Sequence, residues 1–110
     1  MFTLTKDAGD TSPLFLAALQ RLLDAAHRPT GQGRVLARFL LSLYNGDRFP
    51  FDLTDFRSLD TDLFNDCLTV LTLDYMPMRE VHMYFGRGGE IWEGMARYWC
   101  FMDHAGLDWK

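Results

Sequence analysis

The chain has only two cysteines, Cys67 and Cys100, no CxxC pair, no HxxxH or HExxH spacing, and nowhere about 18 uninterrupted apolar residues. The first absence excludes a disulfide-stapled framework and leaves two ordinary thiols of a reducing compartment. The missing histidine spacings remove the usual helical zinc signatures, so no metal or other cofactor is expected. The missing apolar run removes a membrane-spanning helix. Met1–Asp7 also lacks the basic start and apolar stretch of a signal peptide, which points to a cytoplasmic protein. Basic residues are too few to coat nucleic acid: 11 Lys and Arg stand against 15 Asp and Glu, a net charge of -4, so direct DNA binding is disfavoured. No internal repeat, heptad series or low-complexity tract occurs.

What is present is enough apolar material for one core. A chain of 110 residues hides roughly two-thirds of its unfolded surface on folding, and 48% hydrophobic content argues against general disorder. The expected organisation is a flexible arm or short edge strand over 1–10, a single helical domain over 11–104, and a polar tail over 105–110.

Helical periods carry the rest. Thr11-Ser12-Pro13 offers a cap and a first-turn proline, followed by a stripe of Leu16, Leu19, Leu22, Leu23 and Ala26 that ends at His27-Arg28-Pro29. A second helix, from about Gln32 to Tyr44, carries Val35, Leu36, Phe39, Leu40 and Leu43. Asn45-Gly46 is the expected left-handed cap. Periodicity is lost from Asp47 to Leu59, where Thr54 is the candidate cap of a single helical turn. Asp60 or Thr61 opens a third helix with Leu63, Phe64, Cys67, Leu68 and Leu71 on one stripe. The β-branched residues of Leu68–Leu73 also suit a strand, but the unbroken three- and four-residue steps favour helix. A short fourth helix after Pro77 should turn Val81, Tyr84 and Phe85 inward. A fifth, from about Glu90 to Met102, should place Ile91, Met95, Tyr98, Trp99 and Met102 on one face. Trp92 and Trp99, seven apart, read as core. The fold class is all-α: a bundle of about five helices around an irregular acidic centre.

That centre is the main functional clue. Seven aspartates lie between Asp47 and Asp74 against Arg48 and Arg57 alone, a local charge of about -5. From Phe49 to Asp62, acidic and large apolar residues alternate too closely for both sets to be hidden. Asp52, Asp55 and Asp62 with Phe51 and Phe56 are therefore the candidate partner-binding residues, the rings as anchors and the acids as steering charges. In the plainer reading Phe49, Phe51 and Phe56 pin the irregular segment to the core. Asp52, Asp55, Asp60 and Asp62 do not match an EF-hand, having neither its central glycine nor its twelfth-position glutamate.

Gly31, Gly33 and Arg34, at a helix start, form a weak candidate anion site, although two glycines in a tight interhelical turn explain the same residues. Glu80, His82 and Cys67 are the nearest thing to catalytic groups, but they lack companions in sequence, so no catalytic residue is assigned and no enzyme is expected.

The stretch from Ala18 to Trp99 resembles a family of small uncharacterised proteins encoded on integrative conjugative elements, plasmids and prophages of proteobacteria. The likeness rests on Leu22-Leu23, Thr30-Gly31-Gln32, Phe39-Leu40-Leu41, Tyr44-Asn45-Gly46, Phe51-Asp52-Leu53-Thr54-Asp55, Leu59-Asp60, Asp66-Cys67, Val81-His82, Tyr84-Phe85, Gly89 and Trp92-Glu93. It implies a genomic setting and a helical fold, not a reaction. Proteins of such elements are often regulators of transfer or inhibitors of host defence. The expected function is thus a non-enzymatic module docking an acidic surface on a basic partner, in one version an anti-CRISPR-like inhibitor of a nucleic-acid-guided complex. The alternative is a DNA-associated regulator using Arg21, Arg28, Arg34 and Arg38 of the first helix pair. Either could act as a homodimer.

Overall fold

The computed structural model describes residues 2–5, 11–77 and 79–106. Four α-helices, α1 (Pro13–Ala26), α2 (Gly31–Tyr44), α3 (Thr61–Asp74) and α4 (Gly88–Trp99), are accompanied by 3-10 turns at Leu53–Ser58, Val81–Tyr84 and His104–Gly106. The result is an all-α bundle. Each of the first three helices opens on an oxygen that satisfies a free backbone donor: Ser12 for Phe15 N–H, Thr30 for Gly33 N–H and Asp60 for Leu63 N–H. Pro13 sits in the first position of α1, where its missing N–H costs nothing.

Helix α1 lies between α2 and α3, and α4 packs on α2. Arg21, midway along α1, bonds Asp66 of α3, and Arg79, beyond α3, reaches Thr11, just before α1. Helices α1 and α3 are therefore antiparallel. The core between the layers is formed by Leu19, Leu22 and Leu23 of α1, Leu36 and Leu40 of α2, and Trp92 and Met95 of α4, all fully buried. Two indole N–H groups fasten α4: Trp92 donates to Leu40 O at 3.1 Å and Trp99 to Ala26 O at 2.8 Å. The second acceptor is the carbonyl of the last residue of α1, beyond which no helical turn remains to use it.

Several local expectations give way to tertiary contacts. The fourth helix shrinks to Val81–Tyr84, because nearby backbone groups bond to the N-terminal segment instead: Thr5 N–H to Tyr84 O at 2.9 Å and Gly86 N–H to Thr3 O at 2.9 Å. Leu4 and Phe85 thereby form an isolated antiparallel bridge, and Val81, Tyr84 and Phe85 are buried as expected. Residues 1 and 6–10 of the expected arm, and 107–110 of the expected tail, fall outside the described residues.

Asn45-Gly46 is not a left-handed cap. Asn45 is extended at φ -159°, and the turn closes through Phe49 N–H to Asn45 O at 3.0 Å and Arg48 N–H to the Asn45 side chain at 3.2 Å. The left-handed residues are Arg87 and Cys100, which flank α4. Capped by Cys100, that helix ends at Trp99, three residues before the expected Met102. The face turned inward is Gly88, Trp92, Met95 and Ala96, while Tyr98 and Met102 are exposed.

A charged network ties α4 to the turn after α2. Arg48 donates to both carboxylate oxygens of Glu93, at 2.6 and 2.9 Å, and to Asp103 at 2.8 Å; Tyr44 O–H also donates to Glu93. These bonds, Arg48 foremost, hold the Glu93 carboxyl down to about 2 despite its partial burial. Its contribution to stability is present above the ordinary glutamate range and is lost as pH falls toward 2.

Asp74 behaves oppositely. Burial first, and Glu80 second, push its carboxyl up to about 6, and the position at the C-terminal end of α3 also disfavours negative charge. The folded state thus holds this proton more tightly than the unfolded chain, so its contribution falls as pH rises through 4 to 6. Asp74→Asn is expected to stabilise the protein at pH 7, on the order of 1–2 kcal/mol once solvent screening is allowed for. At pH 4 the gain should vanish, which urea denaturation at the two pH values would check.

Candidate functional site

The acidic segment is ordered by its own side chains. Asp52, not Thr54, caps the 3-10 turn: its Oδ1 accepts the Thr54 N–H at 2.9 Å and the Thr54 hydroxyl at 2.7 Å. These bonds, the hydroxyl's first, hold the Asp52 carboxyl below the usual aspartate range. Ser58 O–H donates to Asp55 O, and Asp60 N–H donates to the Gln32 side chain at 2.7 Å, which fixes the end of the segment to α2. Asp60 then caps α3, and Asp62 occupies the first turn, where the helix dipole favours it.

Beneath this backbone lies a chain of rings. Phe39 of α2 meets Phe51 at 5.7 Å and Phe56 at 5.5 Å; Phe51 and Phe56 are 4.9 Å apart, and Phe56 meets Phe64 of α3 at 5.3 Å. Phe39 and Phe49 are buried, whereas Phe51, Phe56 and Phe64 are only half covered. Both readings of the phenylalanines therefore hold in part. The rings pin the segment to α2, and three of them keep an outer side at the surface.

The aspartates divide in the same way. Asp66 is buried and bonded through both oxygens to Arg21, at 2.8 and 2.9 Å. Asp52 and Asp60 serve as caps yet remain exposed. Asp47, Asp55 and Asp62 have no side-chain partner among the described residues. Asp52, Asp55, Asp62, Phe51 and Phe56 thus occur on one stretch of chain, with Asp52 and Asp62 exposed, and Asp55 and the two rings half covered.

A feature that the sequence pattern missed is the rotation of α3. Its buried face is Asp66, Cys67 and Val70, not a stripe including Leu68, which is 42% exposed. The Arg21 ion pair draws Asp66 inward and turns the apolar flank out. A polar residue at a stripe edge gives no warning of this unless its distant partner is known.

Of the two glycines of the candidate anion site, Gly33 has a packing role. A methyl at Gly33 would lie 2.3 Å from Arg28 O and 2.7 Å from Ala25 O, so its absence permits the tight approach of α2 to the end of α1. Arg34 extends over the Phe101 ring at 4.7 Å, shared with Arg38 at 4.5 Å, and donates weakly to Trp99 O. Gly31 has open space around it. Cys67 is fully buried, and that burial pushes its thiol up to about 12, so it is not a thiolate at neutral pH. His82 stands edge-on to Tyr44 at 4.9 Å. Among the described residues no three His, Cys, Asp or Glu side chains converge closely enough to hold a metal ion, and no helix is long and apolar enough to cross a membrane.

No curated protein and no solved structure matches this chain. One family model does, over residues 16–100, which spans all four α-helices except the first residues of α1. On that match the chain belongs to DUF7673, a family of unknown function.

Proposed function

We propose that this protein is a non-enzymatic binding module that docks its acidic, phenylalanine-edged segment on a basic surface of another protein. The observation that carries the reading is the occurrence together of Asp55 and Asp62, whose carboxylates have no internal partner among the described residues, and rings at Phe51 and Phe56 that are only half covered. The acids would speed encounter with a cationic partner, and the rings would supply most of the affinity. Given the resemblance to proteins of mobile elements, the partner proposed is a nucleic-acid-binding host complex whose basic channel the segment blocks, as an anti-CRISPR-like inhibitor would. The reading through DNA contacts has less support. Of its four arginines, Arg21 is held by Asp66, and Arg34 and Arg38 lie on Phe101.

The test uses Asp55→Lys with Asp62→Lys, and Asp52→Asn in place of a charge reversal because Asp52 also caps the turn. The triple variant should keep its helical circular dichroism and lose at least about tenfold in affinity for the partner captured from its native host. Capture that resists salt and is indifferent to the three changes would remove the acidic docking reading.

A further inference from the structure

Two arginines share one ring. Arg34 and Arg38 of α2 lie over Phe101 at 4.7 and 4.5 Å from its centroid, so the two guanidiniums can be no further apart than those distances combined. Neither has a carboxylate partner among the described residues, and the one hydrogen bond of Arg34 is a long one to Trp99 O at 3.4 Å. The acids that line the groove beside Phe101, Glu93 and Asp103, are both bonded to Arg48 and do not offset these charges. Stacking uses the flat face of a guanidinium and leaves its N–H edges able to donate. The ring thus pins two uncompensated positive charges at one spot, too compact to track a phosphate backbone but suited to a local group of carboxylates.

We infer that Arg34 and Arg38 receive the acidic segment of a second copy of this chain, in a head-to-tail contact. The inference goes beyond docking on a host partner, because both surfaces belong to this protein. Asp55 and Asp62 have no side-chain partner among the described residues, and Asp52 and Asp60 accept through Oδ1 alone, which leaves the second oxygen of each unused. Within one molecule the two surfaces do not meet. Gln32 and Phe39, which hold the acidic segment, stand about 130° around α2 from Arg34 and Arg38 by helical spacing. A second copy supplies what each surface lacks. Both also carry exposed apolar side chains to bury: Leu53, 73% exposed, in the acidic segment, and, at the other surface, Tyr98 edge-on to Trp99 and Met102 next after Phe101, 53% and 58% exposed. DNA would meet the same arginines but also the acids of a chain with net charge -4. The contact is heterologous, so it extends to chains or rings of molecules instead of stopping at a two-fold dimer. It covers the acids that docking on a host partner uses, so the two contacts compete.

Sedimentation velocity over a range of protein concentrations reads the contact. The parent should associate at about 0.05 M salt, and at least about tenfold more weakly at about 0.5 M. Arg34→Glu with Arg38→Glu should abolish association, as should Asp55→Lys with Asp62→Lys. An equal mixture of these two variants, each of which repels itself, should associate again, because every contact then joins opposite charges. Arg34→Gln with Arg38→Gln removes the charges with a residue that suits a helix, and should weaken association at least about tenfold even where charge reversal harms the fold. A parent that stays monomeric at low salt, or a mixture of folded variants that stays monomeric, would overturn the inference and leave docking on a host partner standing, since the arginine changes do not touch the acidic segment. Association that resists salt and both pairs of changes would overturn it in favour of an apolar contact. Retention of a DNA duplex by the monomeric parent, lost with Arg34→Gln and Arg38→Gln, would overturn it in favour of a polyanion.

Discussion

Gly88→Ala is expected to cost about 3 kcal/mol or more, while Gly89→Ala, one residue on, should stabilise by about 0.5–1 kcal/mol. A methyl at Gly88 would lie 1.7 Å from His82 O and 2.7 Å from His82 C, and both are backbone atoms that no rotamer change can move aside. The reversal from the turn at Val81–Tyr84 into α4 is made in the three residues Phe85 to Arg87, with Arg87 left-handed and Gly88 N–H bonded to Phe85 O at 3.2 Å. There is no slack in so short a link. At Gly89 nothing lies within 4 Å, so the side chain enters open space and helps α4 by limiting the unfolded chain. Urea denaturation of the two variants side by side measures the difference in sign. A Gly88→Ala protein as stable as the parent would mean that α4 does not approach the turn this closely.

Trp92→Ala should cost about 3–5 kcal/mol, the usual range for deleting a fully buried large aromatic residue. Trp92 has no exposed surface, stands 5.9 Å from Phe85, and donates its indole N–H to Leu40 O across the α2–α4 contact. Total stability for a domain of this size is on the order of 5–15 kcal/mol, so the variant would be marginal. Trp92→Phe separates the causes. It keeps most of the apolar contact and loses the hydrogen bond, and about 1–2 kcal/mol is expected. Thermal and urea unfolding followed by far-ultraviolet circular dichroism checks both values, since removing Trp92 alters the fluorescence signal that it shares with Trp99 and Trp109. A loss below about 1 kcal/mol for Trp92→Ala would show that α4 contributes little to the shared core.

The two predictions meet on one helix whose role was half legible in the chain. The apolar residues from Ile91 to Trp99 announced a helix, and Trp92 and Trp99 were expected inside. The helix was expected to start only at about Glu90, yet Gly88 and Gly89 belong to α4 itself. A glycine that is needed for a close approach looks in sequence like one needed for a turn. The same ambiguity affected Asn45-Gly46, a pair suited to a left-handed cap, where Asn45 is instead extended and the chain turns at once so that Phe49 is buried in the core.

For the candidate site, charge and spacing were readable and exposure was not. The aspartate excess from Asp47 to Asp74 and the cap at Asp60 follow from residue types and their order. That Asp66 is taken by Arg21, 45 positions away, does not. Nor does the half-covered state of Phe51 and Phe56, which depends on how far Phe39 and Phe64 cover them from two other helices.

The existence of the four α-helices was legible in the sequence: a repeat of apolar residues every three to four positions favours a helix, and serine, threonine or aspartate before the first three runs supplies the missing acceptor. The rotation of α3, the shortening of the fourth helix and the division of the acids into paired and unpaired sets were decided only by tertiary structure. Each depends on a bond or contact between residues far apart in the chain, and a single distant partner such as Arg21 or Thr5 is worth enough to override a weak local preference.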